Sequence, residues 1–461
     1  MSTKIADLRK MFGGGTSNAR QFGMIFTLGG IILLFQVLTD GLTLDPINLI
    51  ALVSQFSYIL ILAIGMVMVI IAGHIDLSVG SVAALAGIVV ATAMKNFDLP
   101  WPLAILLGLL IGALIGAWQG FWVAYIGVPA FIVTLSGYML FRGMNQFIGN
   151  AQTIPVPAGF RDIGAGYLPE IGPNTGRSNL TLVLGLLVCI AVIIREIRLR
   201  KMQAGMGAAM APGWVSGTKV GLLVAVITYA SLLFAGGRVG TSFPYSGIIL
   251  GVLVVLYSFV TNNTIFGRHV YAVGGNALAA RLSGVKSKRV NFMVMMNMSI
   301  LASLAGMIFV ARSAASGPQD GIGWELDAIA AVFIGGAAVS GGVGTVIGSI
   351  VGGLVMAVLN NGLQLLGVGS DRVQMIKGLV LLIAVAVDVY NKSQGKPSLI
   401  GFMTRGFHKE PGSARAGGAP PLVIGAPGAV PVTGTEDLPP MGPGSATETA
   451  DPARPGAVTP N

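Results

Sequence analysis

The chain has 461 residues, of which 54% are hydrophobic and only 10% are charged, and its formal net charge is +10. Because soluble domains carry about 25% charged residues, this composition excludes a water-soluble enzyme or binding protein as the main part of the chain. The basic excess does not indicate nucleic acid binding, since it is concentrated in a few loops between apolar runs.

Twelve apolar segments can be drawn along the chain, several of them long enough to span a membrane. They cover residues 22–38, 47–71, 77–94, 101–124, 129–142, 179–194, 219–235, 246–261, 290–311, 326–339, 343–361 and 371–389. A membrane-spanning helix needs about 20 apolar residues, so the short runs 129–142 and 326–339 are predicted to be half-helices or re-entrant pieces. The predicted fold is therefore an all-α polytopic membrane protein, a bundle of about 10–12 transmembrane segments.

The basic residues indicate how these segments are oriented. They cluster within residues 4–20, 195–219 and 268–289, and loops rich in Lys and Arg face the cytoplasm. Counting all twelve segments as crossings puts both termini and all three clusters on that side. We therefore expect a multi-pass protein of the cytoplasmic membrane with both termini in the cytoplasm.

Composition divides the chain into three regions. Residues 1–21 are predicted to be a cytoplasmic N-terminal segment, and residues 22–394 a transmembrane domain. Residues 395–461 are rich in Pro, Gly, Ala, Ser and Thr, which cannot bury enough apolar surface to fold. We expect this last region to be a disordered cytoplasmic tail.

Two parts of the transmembrane domain resemble each other. Residues 75–80 open an Ala-rich helix followed by one with glycines at 108, 112, 116 and 120, and residues 325–327 open another followed by glycines at 344, 348 and 352. In the predicted topology the two copies run in opposite directions, as in an inverted repeat. The alternative is a chance likeness between apolar helices. If the repeat holds, the transport path should lie between its copies.

Four polar residues at the mouths of apolar segments are candidates for the substrate pathway, namely Asp76, Ser78, Glu325 and Asp327. An ionised carboxylate inside a membrane is costly, so such residues usually face an aqueous cavity or cap a helix. For Asp76, a cap on the helix that follows Ser78 is the alternative to substrate contact. His74 could pair with Asp76.

Asn360 and Asn361 are also candidates for the pathway, at the predicted end of the segment 343–361. Amide side chains both donate and accept hydrogen bonds, which suits the hydroxyl groups of a sugar. The alternative is a helix C-terminus, where Asn is common. No cofactor or metal is expected, and the single cysteine, Cys189, excludes a disulfide within one chain.

Residues 267–289 form a cytoplasmic stretch with its own pattern. A glycine turn at Gly274, Gly275 and Asn276 is followed by a short helix-prone run, with a stop at Ser283 and Gly284. Such a helix along the inner surface could receive force from an ATPase. On composition alone it could equally be a helix at the membrane surface.

Four separated motifs in this order resemble the sugar permeases of bacterial ATP-binding-cassette importers, the group that includes the ribose and xylose permeases. They are the stretches 75–81, 271–284, 325–331 and 359–362, which begin IDLSVGS, YAVGGN, ELDAIAA and LNNG. Trp118, residues 128–135 and the stretch near 195–217 look most like the xylose-type branch.

The resemblance implies a transport subunit that is not itself an ATPase and has several partners. These are two copies of an ATPase subunit, a sugar-loaded extracytoplasmic binding protein and a second permease copy, all in a lipid bilayer. It also implies that residues 274–284 are the helix on which the ATPase pushes, and the residues expected to couple to it are Gly274, Gly275, Asn276, Ala280, Arg281, Leu282, Ser283 and Gly284.

Three other functions are weighed against this one. An ion-coupled secondary transporter would use Asp76 and Glu325 as coupling groups and would need no ATP. An intramembrane enzyme would require a clustered nucleophile and base or a metal set, which one cysteine and one intramembrane histidine do not supply. The same importer architecture could also carry another small polar cargo.

Overall fold

The computed structural model describes residues 16–173, 175–206, 213–237 and 240–393. In these ranges the fifteen α-helices are α1 (Thr16–Leu38), α2 (Pro46–Ile71), α3 (Val79–Asn96), α4 (Trp101–Phe121), α5 (Ala130–Ile148), α6 (Ala158–Ala165), α7 (Asn179–Gly205), α8 (Gly213–Phe234), α9 (Tyr245–Asn263), α10 (Ile265–Gly275), α11 (Ala277–Leu282), α12 (Ser287–Ser313), α13 (Trp324–Ile334), α14 (Val346–Leu365) and α15 (Ser370–Ser393). Two short strands, β1 (Ile154–Pro155) and β2 (Ala315–Ser316), pair antiparallel.

Within these described ranges, eight helices are long and apolar enough to cross a membrane. The prediction of an all-α polytopic membrane protein is confirmed. Contacts divide the chain into Met1–Phe407 and His408–Asn461. The second unit and the predicted tail 395–461 lie outside the described residues.

Local sequence explains where the long helix α2 begins. The Asp45 side chain accepts a hydrogen bond of 2.9 Å from the backbone N–H of Ile47, and Pro46 occupies the first helical position. A carboxylate at the N-cap satisfies a free backbone donor, and the fixed φ of proline suits the first turn. An apolar run of Ile, Leu, Val and Met then continues to Ile71, and most of it is buried.

The centre of the bundle is α12, and the glycine stripe of α4 packs directly against it. Gly108 lies against Met307, and Gly120 lies against Phe292 near the other end of the same contact. The two helices therefore run antiparallel. Glycines four residues apart remove side-chain bulk from one face, so the helices can approach closely.

The chain turns back inside the bundle between α2 and α3. Near the end of α2, Met68 lies beside Asn297 of α12, whereas Ala83 near the start of α3 already lies against Gly306. The non-helical residues 72–78 therefore return along α12 before α3 begins. This is a re-entrant segment, and we call it the first break.

A second break follows α12 and approaches from the opposite end. Ser316 lies near Gly87 of α3, whereas Gly321 lies against Gly80, so residues 317–321 run back along α3. The helix α13 then starts at Trp324, whose ring packs on Tyr58 of α2 at a centroid distance of 4.4 Å. Both breaks thus follow a long helix and precede a shorter one.

The two halves have the opposite directions that an inverted repeat requires. The helix α3 runs parallel to α12, whereas α2 runs antiparallel to it. Gly65 of α2 contacts Met298 and Leu301, and the later residue Met68 contacts the earlier residue Asn297. The order of long helix, break, shorter helix and glycine-rich helix is the same in α2 to α4 and in α12 to α14. This arrangement fits the repeat that the sequence suggests.

Some predicted boundaries differ from the structure. The segment 129–142 belongs to α5, which has 19 residues and is not a half-helix, because the helix continues through the polar residues Arg142 and Asn145. By contrast, α13 has only 11 residues, as its short apolar run predicts. The first helix begins at Thr16 and so includes part of the predicted N-terminal segment 1–21.

Candidate functional site

The starts of α3 and α13 meet inside the bundle. A Cβ atom on Gly80 would collide with the carbonyl oxygen of Gly321 and would lie 2.6 Å from Oε2 of Glu325. The positive ends of two helix dipoles therefore converge beside a carboxylate of the second helix. In membrane transporters, broken helices whose N-termini meet near the middle of the bundle commonly form binding and gating elements.

A chain of buried hydrogen bonds runs from the first break to α12. Oδ1 of Asp76 accepts bonds from the backbone N–H of Ser78 at 2.8 Å and from its hydroxyl at 2.7 Å. Nε2 of Gln119 donates to Oγ of Ser78 at 2.6 Å, and the hydroxyl of Ser299 donates to Oε1 of Gln119 at 3.2 Å. The chain ties the break, α4 and α12 together, and Asp76 is only 1% exposed.

This geometry decides how Asp76 acts at the start of α3. Its carboxylate bonds the N–H two residues ahead, a local side-chain turn that prepares the helix start. Ser78 occupies the N-cap position without a capping side-chain bond of its own. Asp76 is therefore not the N-cap that the sequence suggested as its alternative role, and it acts on the helix start only through the turn to Ser78.

Sequence reasoning did not identify Gln119 or Ser299 as members of this site. Gln119 is the one amide in an otherwise apolar helix, Ser299 lies in a helix with several polar residues, and both are buried. A buried polar side chain needs a hydrogen-bond partner, so Gln119 in the middle of a glycine-rich segment was a usable signal. Its partners, however, are 41 and 180 residues away in the chain.

The second break is held from α5 by an arginine that sequence reasoning also missed. Nη1 of Arg142 donates to the carbonyl of Asp320 at 2.8 Å, and Nη2 donates to that of Pro318 at 3.1 Å. Oδ2 of Asp320 in turn accepts the backbone N–H of Gly317 at 2.8 Å. A charge at the end of an apolar run is the kind of residue that marks a functional position.

Asp327 has a partner of its own. Its carboxylate accepts from the Lys377 ammonium of α15, with N–O distances of 2.6 and 2.8 Å. The pair joins α13 to α15. Because the charge is compensated within the protein, the contact favours a structural role for Asp327.

The asparagine pair does not end its helix, and that prediction was wrong. The helix α14 continues to Leu365, since nothing after Asn361 breaks it before the Gly367 turn. Asn361 exchanges two hydrogen bonds with Asn48, of 2.9 and 3.0 Å, while Asn360 accepts from Gln364 at 2.7 Å. In the described residues, no hydrogen bond links these amides to Asp76.

A short helix is present within residues 274–284, but it is shorter than that range, and its cytoplasmic position stays a prediction. It comprises α11, with Asn276 as N-cap accepting the N–H of Ala279 at 2.9 Å and Ser283 as C-cap. Ala280 anchors the helix and is buried, whereas Leu282 is 82% exposed. Gly284 has a φ of +86°, a conformation that glycine adopts without strain.

The predicted glycine turn was also wrong in one respect. Gly274 and Gly275 are the last residues of α10, and the chain turns only at Asn276. Glycine at 274 is required by packing, since a Cβ there would collide with the carbonyl oxygen of Ile71.

Known proteins are similar to this chain over most of the helices described above. A profile of the family described as branched-chain amino acid transport system / permease component matches residues 48–385. The chain is 37% identical over 385 residues to the xylose transport system permease protein XylH of Haemophilus influenzae, covering 83% of this chain and 100% of the relative.

Two further relatives are also similar over most of the chain. The chain is 38% identical over 376 residues to the XylH protein of Escherichia coli K12, covering 81% of this chain and 93% of the relative. It is 34% identical over 347 residues to the ribose import permease protein RbsC of Escherichia coli K12, covering 75% and 86%. No solved structure matches the chain significantly.

Proposed function

Because this chain belongs to the transport-system permease family matched over residues 48–385, we propose that it is the membrane-spanning subunit of an ATP-binding-cassette importer for monosaccharides. Xylose is the favoured cargo. The observation that carries the proposal is the match to a xylose permease over that relative's entire length. The broken helices and the short helix α11 are the parts that such a subunit needs for gating and for contact with its ATPase.

The family implies that an ATPase subunit and a substrate-binding protein act with this chain. We propose further that the chain has no ATPase site of its own, which is supported by the lack of any Gly-x-x-x-x-Gly-Lys-Ser/Thr sequence. A second copy of the permease and membrane lipid are proposed as the remaining partners. Both termini are proposed to be cytoplasmic, because the basic clusters then lie on that side.

The sugar path is proposed to run past the meeting point of the two breaks. Asp76, Ser78 and Glu325 would shape this point, since the carboxylates of Asp76 and Glu325 balance the positive ends of α3 and α13, and Ser78 donates two hydrogen bonds to Asp76. Asn360 and Asn361 would lie further along the path, although the bonds to Asn48 and Gln364 equally support helix packing. Asp327 would stabilise α13 through Lys377.

The ATPase is proposed to bind the cytoplasmic surface that includes α11. Exposed Arg281 and Leu282 would contact it, and buried Ala280 would transmit the force inward. Asn276 and Ser283 would hold the ends of the helix, and Gly284 would give the turn that leads into α12.

Reconstitution tests the proposal directly. Proteoliposomes containing this chain, its ATPase and its binding protein should take up labelled xylose only with ATP and with the binding protein present. Uptake driven by an ion gradient without ATP would instead establish a secondary transporter. Uptake of another small polar cargo in preference to xylose would retain the importer and change its substrate.

The Arg281→Glu variant tests the assignment of α11. We expect it to reduce xylose uptake by at least about tenfold, because charge reversal at the centre of an interface costs more than 1.4 kcal/mol. Lys201→Glu, an exposed basic residue at the end of α7, is the matched control. Equal uptake by the two variants would argue against α11 as the contact with the ATPase.

A further inference from the structure

Three segments of the chain meet beside the end of α2. The backbone N–H of Gly342 donates to the carbonyl of Ile71 at 2.8 Å. A Cβ on Gly274 would collide with that same carbonyl oxygen, and one on Gly341 would lie 2.9 Å from the carbonyl oxygen of Gly274. We call Ile71, Gly274, Gly341 and Gly342 the glycine junction.

The contacts in the glycine junction are between backbones. Gly341 and Gly342 have φ of +79° and +71°, which is the left-handed conformation that favours glycine. With no side chains between them, the segments touch through peptide groups that cannot change rotamer. Packed contacts of this kind pass on a displacement and do not absorb it.

A side-chain bond crosses the same place. The hydroxyl of Tyr271 on α10 donates to the carbonyl of Gly344 at 2.7 Å. Gly344 in turn lies against the side chain of Ile71, so that a Cβ on it would be 2.9 Å from Cγ1. Tyr271 thus fastens α10 to the loop between α13 and α14.

The glycine junction is connected along the chain to both breaks. Ile71 is followed immediately by the first break, residues 72–78. The loop that carries Gly341 to Gly344 follows α13, which begins at the second break. The glycine junction is also connected to α11, because Gly274 lies three residues before the start of that helix at Ala277.

We propose that the glycine junction and Tyr271 act as one rigid link that carries a displacement of α11 to both breaks together. Tyr271 is a positioning residue in this account, and it touches neither sugar nor ATP. The inference rests on the proposed function, since it names the route by which the ATPase would move the path. It identifies the loop 335–345, which the sequence motifs left out, as part of the coupling machinery.

The test compares two pairs of variants in the reconstituted importer. Tyr271→Phe removes one hydroxyl bond, and Tyr257→Phe is matched to it because the Tyr257 hydroxyl bonds Asn297 elsewhere in the bundle. Gly274→Ala puts a methyl group into the glycine junction, and Gly251→Ala is matched to it because its Cβ would meet nothing within 4 Å. Xylose imported per ATP hydrolysed, ATPase activity and melting temperature are measured for each.

We expect Tyr271→Phe to lower the ratio of xylose imported to ATP hydrolysed by about fivefold, the factor that one hydrogen bond contributes to an equilibrium. ATPase activity and melting temperature should stay close to those of Tyr257→Phe. Gly274→Ala should lower the ratio further, whereas Gly251→Ala should leave it unchanged. If Gly274→Ala does not fold, the ratio measured for Tyr271→Phe still tests the proposed link.

Three results would overturn the inference in distinguishable ways. If the native chain imports xylose with ATP and Tyr271→Phe leaves the ratio of xylose imported to ATP hydrolysed unchanged, the proposed link is wrong and the proposed function stands. A melting temperature that falls in Tyr271→Phe with no change in the ratio would assign the bond to stability alone. If the native chain shows no ATP-dependent uptake, both the proposed function and the proposed link are wrong.

Discussion

The helices α2 and α8 are both long and apolar, yet they have very different surroundings. Of the most apolar stretch of α2, 83% is buried inside the protein, whereas none of the corresponding stretch of α8 is. The hairpin of α7 and α8 packs mainly on itself, as the contact of Gly185 with Ser231 shows. Hydrophobicity therefore identifies membrane helices without showing which of them form the centre.

Small and polar residues make the difference between these two regions. In the centre, glycines allow backbone contacts and buried polar groups such as Ser78 and Gln119 join three helices. In the hairpin, large apolar side chains such as Leu222 and Val226 point outward. A membrane helix is held to its neighbours mainly by close packing and hydrogen bonds, since apolar surface alone is equally stable in lipid.

The strongest test of this contrast removes a large side chain from each region. Met68→Ala, at a fully buried position of α2, should destabilise the protein by about 4 kcal/mol, because it leaves a cavity in a packed core. Leu222→Ala, at an exposed position of α8, is the control and should change stability by less than about 0.5 kcal/mol. Thermal unfolding in detergent would measure both, and equal losses would show that the hairpin is packed as tightly as the centre.

Adding a methyl group where backbones touch should have the next largest effect. Gly80→Ala would push α3 away from Gly321 and should cost about 3 kcal/mol, since overpacking strains the backbone. Gly221→Ala in α8, where a Cβ would meet nothing within 4 Å, should leave the melting temperature nearly unchanged. If Gly80→Ala is as stable as its control, the two breaks do not meet as described.

The buried hydrogen bonds of Asp76 in the first break should contribute less to the free energy of unfolding than the packing around them. Asp76→Ala leaves the N–H of Ser78 without its acceptor and should cost about 2 kcal/mol. Asp76→Asn keeps an acceptor oxygen and should lose less, while Asp162→Ala, an exposed carboxylate on α6, provides the baseline. Comparing the unfolding midpoints of the three variants checks the expected order, and a loss in Asp76→Asn equal to that in Asp76→Ala would contradict it.

The smallest effect is expected at the asparagine pair. Asn361→Ala breaks the reciprocal bonds with Asn48 and should cost about 1 kcal/mol. Asn360→Ala loses only its bond with Gln364 and should be close to neutral in stability. A loss of xylose transport in Asn360→Ala at unchanged stability would instead support a place for this residue on the sugar path.

Part of the candidate site could be predicted from the sequence because the signals are local. Asp76 and Ser78 stand at a helix start, and Ser283 with Gly284 forms a recognisable stop. Such patterns depend on neighbours within a few residues. The roles assigned to these residues in transport stay predictions until the variants are measured.

The remaining part of the site could not be predicted in this way. Gln119, Ser299 and Arg142 become members of the site through partners far along the chain. Asn361 is similar, since its partner Asn48 is 313 residues away. A single sequence shows which residues are polar and does not show which of them will meet.

The sequence by itself determined the class of this protein and the positions of its apolar segments and basic clusters, because hydrophobicity and charge act residue by residue. Tertiary structure alone decided that residues 72–78 and 317–321 turn back into the bundle and that Gly80 meets Gly321. It also decided that Gly274 touches Ile71. These contacts depend on how whole helices cross, and a glycine reveals that room is available without showing which neighbour will occupy it.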